Sequence, residues 1–179
     1  MSSCHRGHEY ITRKLVEAGA DPNIQNKVGE SAAMFAVKGG HLSCIDALAQ
    51  SKNNNVDWNL VDKYGRNVTM LALDSSLEVL NRLTTIDTID WNTRNSNGDS
   101  TLTLALASDN SDIIRTVLSV SQIKYDVDHL KEKNVYDKAV AECQKYLAEL
   151  YGDGGNIDRL VSFALHTGMK DMAELLGKS

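Results

Sequence analysis

The sequence holds little that would give it a covalent frame, a membrane anchor or an affinity for nucleic acid. It contains one proline, Pro22, and no stretch rich in proline, glycine and serine, so no flexible linker divides its 179 residues. Its three cysteines, Cys4, Cys44 and Cys143, are odd in number, far apart and set among apolar neighbours at helical offsets. That pattern excludes a disulfide scaffold and predicts free thiols in a reducing compartment. No run approaches the roughly 20 apolar residues needed to cross a bilayer, and Met1 to Arg6 lack an apolar signal core. A cytoplasmic or nuclear protein with no membrane partner is expected. Basic excess is also missing: a net charge of −5 and a pI near 5.5 leave no stripe to neutralise phosphates, so no nucleic-acid partner is expected. Aromatic residues are only 6%, yet 42% apolar and 24% charged residues is an ordinary balance for a folded chain.

What the chain does have is a pattern that returns. Residues 26–48 place Gly29 before an apolar run ending in Phe35, Ala36 and Val37, then a Gly39-Gly40-His41 break, then Leu42, Ile45 and Leu48. This spacing predicts two short helices joined by a glycine turn. A second copy runs from Asp62 through Gly65, Asn67, Met70, Leu71 and Ala72 to Leu83, and a third from Asn95 through Gly98, Ser100, Leu104 and Ala105 to Leu118. Gly29, Gly65 and Gly98 are therefore 36 and then 33 residues apart. A period of about 33 marks a stacked helical array, in which one helix pair cannot bury its apolar face without neighbours, and the chain has room for about five such units.

These offsets resemble the ankyrin repeat. The resemblance runs through Asn26, Gly29, Ser31, Ala36, Gly40, His41, Ile45 and Leu48, and Gly19-Ala20-Asp21-Pro22-Asn23 is similar to the family's G-A-D-x-N hairpin. The Pro and His of the family's T-P-L-H are replaced by Ala32 and Met34, Val68 and Met70, and Thr101 and Thr103. The resemblance implies an all-α fold, an ankyrin-repeat solenoid of helix-turn-helix pairs with β-hairpin-like loops. It is close over Gly7 to Leu118 and looser over Asp128 to Gly177. On this reading residues 1–127 are a partial repeat and three full ones, 128–151 a degenerate repeat, and 152–179 a capping helix pair.

Along the chain, Gly7-His8 with Ile11, Leu15 and Val16 is similar to a second helix whose first helix has only Ser2 to Arg6 to form from. The chain is expected to begin inside a repeat, as a fragment, an isoform, or a protein whose open end something else covers. Ser51 to Asn55 is a polar insertion expected to protrude as a loop, and Asp74-Ser75-Ser76 and Ser108-Asp109-Asn110 replace glycine turns. Cys143-Gln144 stands where Gly-His would, leaving the two helices around it free to fuse. Leu160, Phe163 and Ala164, the Thr167-Gly168 turn, and Met172, Ala173, Leu175 and Leu176 predict a closing helix pair behind a hinge at Gly152-Asp153-Gly154-Gly155.

Few residues suggest chemistry. Cys4, His5 and His8 lie close enough for a metal site, but Gly7 interrupts them and no fourth ligand follows, so a structural role is preferred and no metal is expected. By resemblance, His8 takes the Gly-His place where imidazole braces the loop. Trp58 and Trp91 share one offset and read either as a displayed aromatic pair or, preferably, as hairpin packing. Resemblance also implies that Asp57, Asn59, Asp90 and Asn92 hydrogen-bond neighbouring hairpin backbones. Ser31, Asn67 and Ser100 are placed to cap first helices. The glycines at 152–155 lack a P-loop's Lys-Ser/Thr, and the five histidines are scattered, so neither a cofactor nor a catalytic residue is expected.

The resemblance implies a non-enzymatic interaction scaffold that binds a partner protein through its concave face and hairpin tips. Carrying over the family's surface offsets gives Lys27, Val28, Glu30 and Lys38, then Lys63, Tyr64, Arg66 and Asp74, then Ser96, Asn97, Asp99 and Ser108. Lys27, Lys38, Lys63 and Arg66 around Tyr64 form a locally basic patch on an acidic chain, which points to an acidic or phosphorylated segment. Solvated tips remain the alternative reading. The chain is expected to act as a monomer, either as a free-standing adaptor or as the targeting or substrate-recruiting part of a larger enzyme or signalling protein.

Overall fold

A computed structural model describes residues 2–51, 56–108, 110–151 and 170–177. Most of the polar insertion (52–55), Asp109 of the fourth turn, the Gly152–Gly155 hinge and the first helix and turn of the closing pair (Leu160, Phe163, Ala164, Thr167, Gly168) lie outside the described residues. Those described hold eleven helices and no strand, with one isolated antiparallel bridge between Arg94 and Ser100. The all-α repeat fold expected from the sequence is what the chain adopts. It divides into two compact units, residues 1–101 and 102–179.

The first unit contains α1 (Ser2–His5), α2 (Glu9–Glu17), α3 (Ala32–Lys38), α4 (Leu42–Ala49), α5 (Val68–Leu73) and α6 (Leu77–Leu83). Short polar side chains start these helices by accepting from N–H groups the first turn leaves unpaired. Ser31 Oγ accepts from Met34 N–H at 3.4 Å, Asn67 Oδ1 from Met70 N–H at 3.2 Å, and Ser76 Oγ from Val79 N–H at 3.2 Å. Within a pair the chain reverses at Gly7 and Gly40, both left-handed. In the third repeat Ser75 stands there instead, and its hydroxyl donates to the Val37 carbonyl of the repeat before it at 2.8 Å.

Like packs on like: α1 on α3 and α3 on α5, α2 on α4 and α4 on α6. Met34, Val37, Ile45, Leu48, Leu71, Leu80 and Leu83 are buried between these layers. At roughly 1.5–3 kcal/mol per fully buried aliphatic side chain, this shared apolar spine is what makes each pair depend on its neighbour. The partial first repeat keeps its first helix as the single turn of α1. Cys4 and Thr12 are each 2% exposed, and Thr12 Oγ1 lies 3.6 Å from Cys4 Sγ and 3.7 Å from Cys44 Sγ, so the stub is fastened to the repeat behind it. The three thiols are free and buried.

Trp58 and Trp91 are 4% and 2% exposed, so both indoles pack and neither is displayed. The polar residues beside them divide the work. Asp57 and Asp90 close their own loops, accepting from Asn59 N–H and Asn92 N–H at 2.9 Å. Asn23 and Asn59 reach the next repeat: Asn23 Oδ1 accepts from Asp57 N–H, Asn59 Nδ2 donates to the Thr88 carbonyl, and Asn59 Oδ1 accepts from Asp90 N–H. The amides span repeats while the carboxylates stay local.

The second unit contains α7 (Thr101–Ala107, its first residue in the first unit), α8 (Ser111–Leu118), α9 (Val127–Glu132), α10 (Tyr136–Tyr151) and α11 (Lys170–Gly177). Asn110 caps α8 and Asp126 caps α9 through their side-chain oxygens. Asn134, at φ 56°, makes the left-handed turn between α9 and α10. With no glycine at Cys143-Gln144, α10 runs unbroken for 16 residues, the fused form the sequence allowed. It packs against α8, α9 and α11, burying Ile114, Leu130, Cys143, Leu147, Leu175 and Leu176. Among the described residues no helix is long and apolar enough to cross a membrane.

Candidate functional site

Three tips in the first unit are built alike: Asn26-Lys27-Val28-Gly29, Asp62-Lys63-Tyr64-Gly65 and Asn95-Ser96-Asn97-Gly98. In each, the first side chain closes the turn. Asn26 Oδ1 accepts from the N–H groups of Val28 and Glu30, Asp62 Oδ1 from those of Tyr64 and Arg66, and Asn95 Oδ1 from those of Asn97 and Asp99, all at 2.9–3.0 Å. The glycine then takes φ of +79°, +73° or +78°, a conformation that a side chain disfavours. A second constraint acts on two of them. A Cβ on Gly29 would lie 2.9 Å from Asp62 Cα and Lys63 N, and one on Gly65 2.8 Å from Ser96 N.

The closeness follows from how the tips join. Lys63 N–H donates to the Val28 carbonyl at 3.0 Å and Ser96 N–H to the Tyr64 carbonyl at 2.9 Å, so the tips form a hydrogen-bonded row. Lys27, Lys63, Tyr64, Ser96 and Asn97 are exposed on that row, with Val28 half-buried. Glu30, Arg66 and Asp99, one step past each glycine, are half-buried. Lys38 closes α3 and Asp74 follows α5, both exposed. Ser108 belongs to the second unit. Its hydroxyl donates to the Ala105 carbonyl at 2.6 Å and its own carbonyl accepts from Lys138 Nζ at 2.8 Å.

Charge is distributed unevenly among the four cations. Lys38 Nζ pairs with Glu30, whose other oxygen accepts from Asn26 Nδ2 at 3.0 Å; the Lys38 hydrogen bond holds the Glu30 carboxyl below its ordinary value. Arg66 donates through Nε at 2.9 Å and Nη2 at 2.7 Å to Asp62 Oδ2, on a side chain 2% exposed. Burial pushes the Asp62 carboxyl up, but the Arg66 guanidinium and the N–H groups of Arg66 and Tyr64 outweigh it, and the group sits below its ordinary value. Lys38 and Arg66 are thus neutralised where they stand. Lys27 and Lys63 have no carboxylate partner among the described residues. Tyr64, 53% exposed, has Lys63 Nζ at 4.7 Å and Arg66 Cζ at 5.1 Å from its ring centre. The basic patch read from the sequence contracts to Lys27, Lys63 and the face of Tyr64.

The imidazole brace is made by His41. Its Nε2 meets the His5 carbonyl at 3.2 Å, and a Cβ on Gly7 or Gly39 would fall 2.7 or 2.5 Å from its ring. His8, by contrast, is exposed ahead of α2 with no side-chain capping bond. Cys4 faces Thr12, while the His5 ring packs edge-on to Phe35 at 5.3 Å. Among the described residues no group of three or more His, Cys, Asp or Glu could hold a metal ion.

One feature gave no sequence signal because it depends on residues about 20 or more positions apart. Between α1 and the first tip lies a notch of about 420 Å³, lined by Ser2, His5, Arg6, Asn26 and Phe35.

A family model for ankyrin repeats, in three copies, matches residues 1–95. A search of curated proteins returned no match.

Proposed function

We propose, since this chain belongs to the ankyrin-repeat family and such repeats are generally protein–protein interaction modules, that its row of tips and the adjoining helix ends bind an acidic or phosphorylated segment of a partner protein. The supporting observation is Tyr64, half-exposed beside Lys63 on a row whose backbone is held by hydrogen bonds from one tip to the next. A preformed row loses little freedom on binding, and an aromatic ring flanked by a cation is a common energetic anchor. Lys27 and Lys63 meet the partner's negative charge and chiefly raise the association rate. Val28, Ser96 and Asn97 flank the contact. Glu30, Asp62 and Arg66 keep the tips in shape.

The test is capture of partners by the immobilised full chain, with mass spectrometry, followed by affinity measurement on the captured protein. Replacing Lys63 and Tyr64 together by Ala should weaken binding by about tenfold or more, the scale of a central interface residue. Arg66 is left intact because it holds its own tip closed. Affinity unchanged by the double replacement would reject this surface.

A further inference from the structure

Arginine stands three residues before a threonine twice among the described residues, at Arg66-Asn67-Val68-Thr69 and at Arg82-Leu83-Thr84-Thr85. Thr69 is buried. Thr85 is exposed just beyond the end of α6, and the arginine before it already holds its hydroxyl. Arg82 Nη1 donates to Thr85 Oγ1, and Thr85 Oγ1 donates to the Arg82 carbonyl at 2.8 Å. The same guanidinium reaches back to the repeat before: its Nε donates at 2.5 Å to Asp46 Oδ1 on α4, in a pair whose side chains are 27% and 40% exposed. One cation therefore serves two oxygens, the carboxylate of the second repeat and the hydroxyl of the third. Negative charge placed on that hydroxyl competes with Asp46 for Arg82.

We propose that Thr85 is a phosphorylation site for a protein kinase of the class that selects arginine three residues before its acceptor, and that the phosphoryl group unties the second repeat from the third. Such kinases recognise the arginine by its charge. The Thr85 oxygen bonds the γ-phosphorus of ATP, the bond from that phosphorus to the β-phosphate oxygen breaks to release ADP, and the hydroxyl proton leaves through the kinase's catalytic carboxylate. The product carries a charge of about −2 at neutral pH and has no hydroxyl proton. It gives up the bond to the Arg82 carbonyl and takes the guanidinium in a charge-assisted bond stronger than the one to a neutral hydroxyl. Asp46 then faces a dianion at the cation it had held, and like charge drives the carboxylate off. The C-terminal end of α6, where anions are unfavourable, receives that charge as well. Both effects loosen α6 from α4.

The test is incubation of the folded full chain with such a kinase and ATP, followed by peptide mapping by mass spectrometry. Phosphate should appear on Thr85, and Arg82→Gln should remove it. Transfer to other residues alone, Ser162 after Arg159 among them, or to Thr85 only after unfolding, would overturn the site. The consequence is read separately, on a full chain with phosphothreonine incorporated in place of Thr85, so that it does not depend on the kinase. Hydrogen exchange of the Leu80 and Thr84 amides, which donate to the Ser76 and Leu80 carbonyls, should quicken about fivefold, the scale of a lost surface ion pair together with an anion at a helix C-terminus. In an Asp46→Asn chain the same phosphate should quicken it about twofold or less, because there is no carboxylate to displace. Exchange unchanged by the phosphate, or quickened equally in both chains, would overturn the competition for Arg82.

Discussion

Gly65 and Gly19 allow the contact between tips to be measured by subtraction. Both are left-handed, at φ +73° and +84°, so an alanine at either position bears the cost of that conformation, about 1–2 kcal/mol. At Gly19 that is the whole cost, because a Cβ there would find nothing within 4 Å. At Gly65 the Cβ would lie 2.8 Å from Ser96 N and 3.1 Å from Asn95 C and Cα. These are backbone atoms, which cannot swing aside as a flexible side chain would. The third tip must move, at about 1–3 kcal/mol for overpacking, and the 2.9 Å bond from Ser96 N–H to the Tyr64 carbonyl is strained or lost, at about 1 kcal/mol. Gly65→Ala should therefore destabilise by about 3–6 kcal/mol, against about 1–2 kcal/mol for Gly19→Ala. Urea unfolding of the full chain followed by circular dichroism gives both values, with the slope checked for constancy so that midpoints can be compared. Hydrogen exchange supplies a local readout, since the Ser96 amide should lose protection in Gly65→Ala alone. Equal losses of stability in the two variants would refute backbone contact between the tips.

Asp62 should make stability depend on acid. Its folded carboxyl lies below the ordinary value, so its contribution is present above the unfolded pKa of about 4 and is lost as the pH falls through the folded one. Asp62→Asn should cost about 1–2 kcal/mol at neutral pH, and the gap from the parent chain should close under acid; a gap unchanged down to about pH 2 would contradict the pairing with Arg66. In the second unit, burial pushes the Cys143 thiol up to about 12. Iodoacetamide at about pH 8 should modify Cys143 only after unfolding, and rapid labelling of the native chain would show the site to be more open than described.

Much of the first unit was legible from short-range patterns. The left-handed tip glycines and the Asn or Asp that closes each tip act within four residues of one another, so their order in the chain is nearly their geometry. The caps at Ser31 and Asn67 are equally local, and the packing of Trp58 and Trp91 followed from the hairpin place that the family resemblance gives them. His8 and His41 show where such reading stops. Both follow a glycine, but the brace belongs to His41, because it needs the His5 carbonyl 36 positions earlier.

By itself, then, the sequence determined the repeat period, the helix pairs, the closed tips and which faces are buried, because each follows from backbone conformation and apolar spacing over a few residues. Only the tertiary structure decided which of the exposed charges remain available. Lys38 is cancelled by Glu30 and Arg66 by the nearly buried Asp62, while Lys27, Lys63 and Arg6 are left without a carboxylate among the described residues. Those outcomes depend on distances between side chains and backbones of different repeats, and such distances are set when the repeats stack.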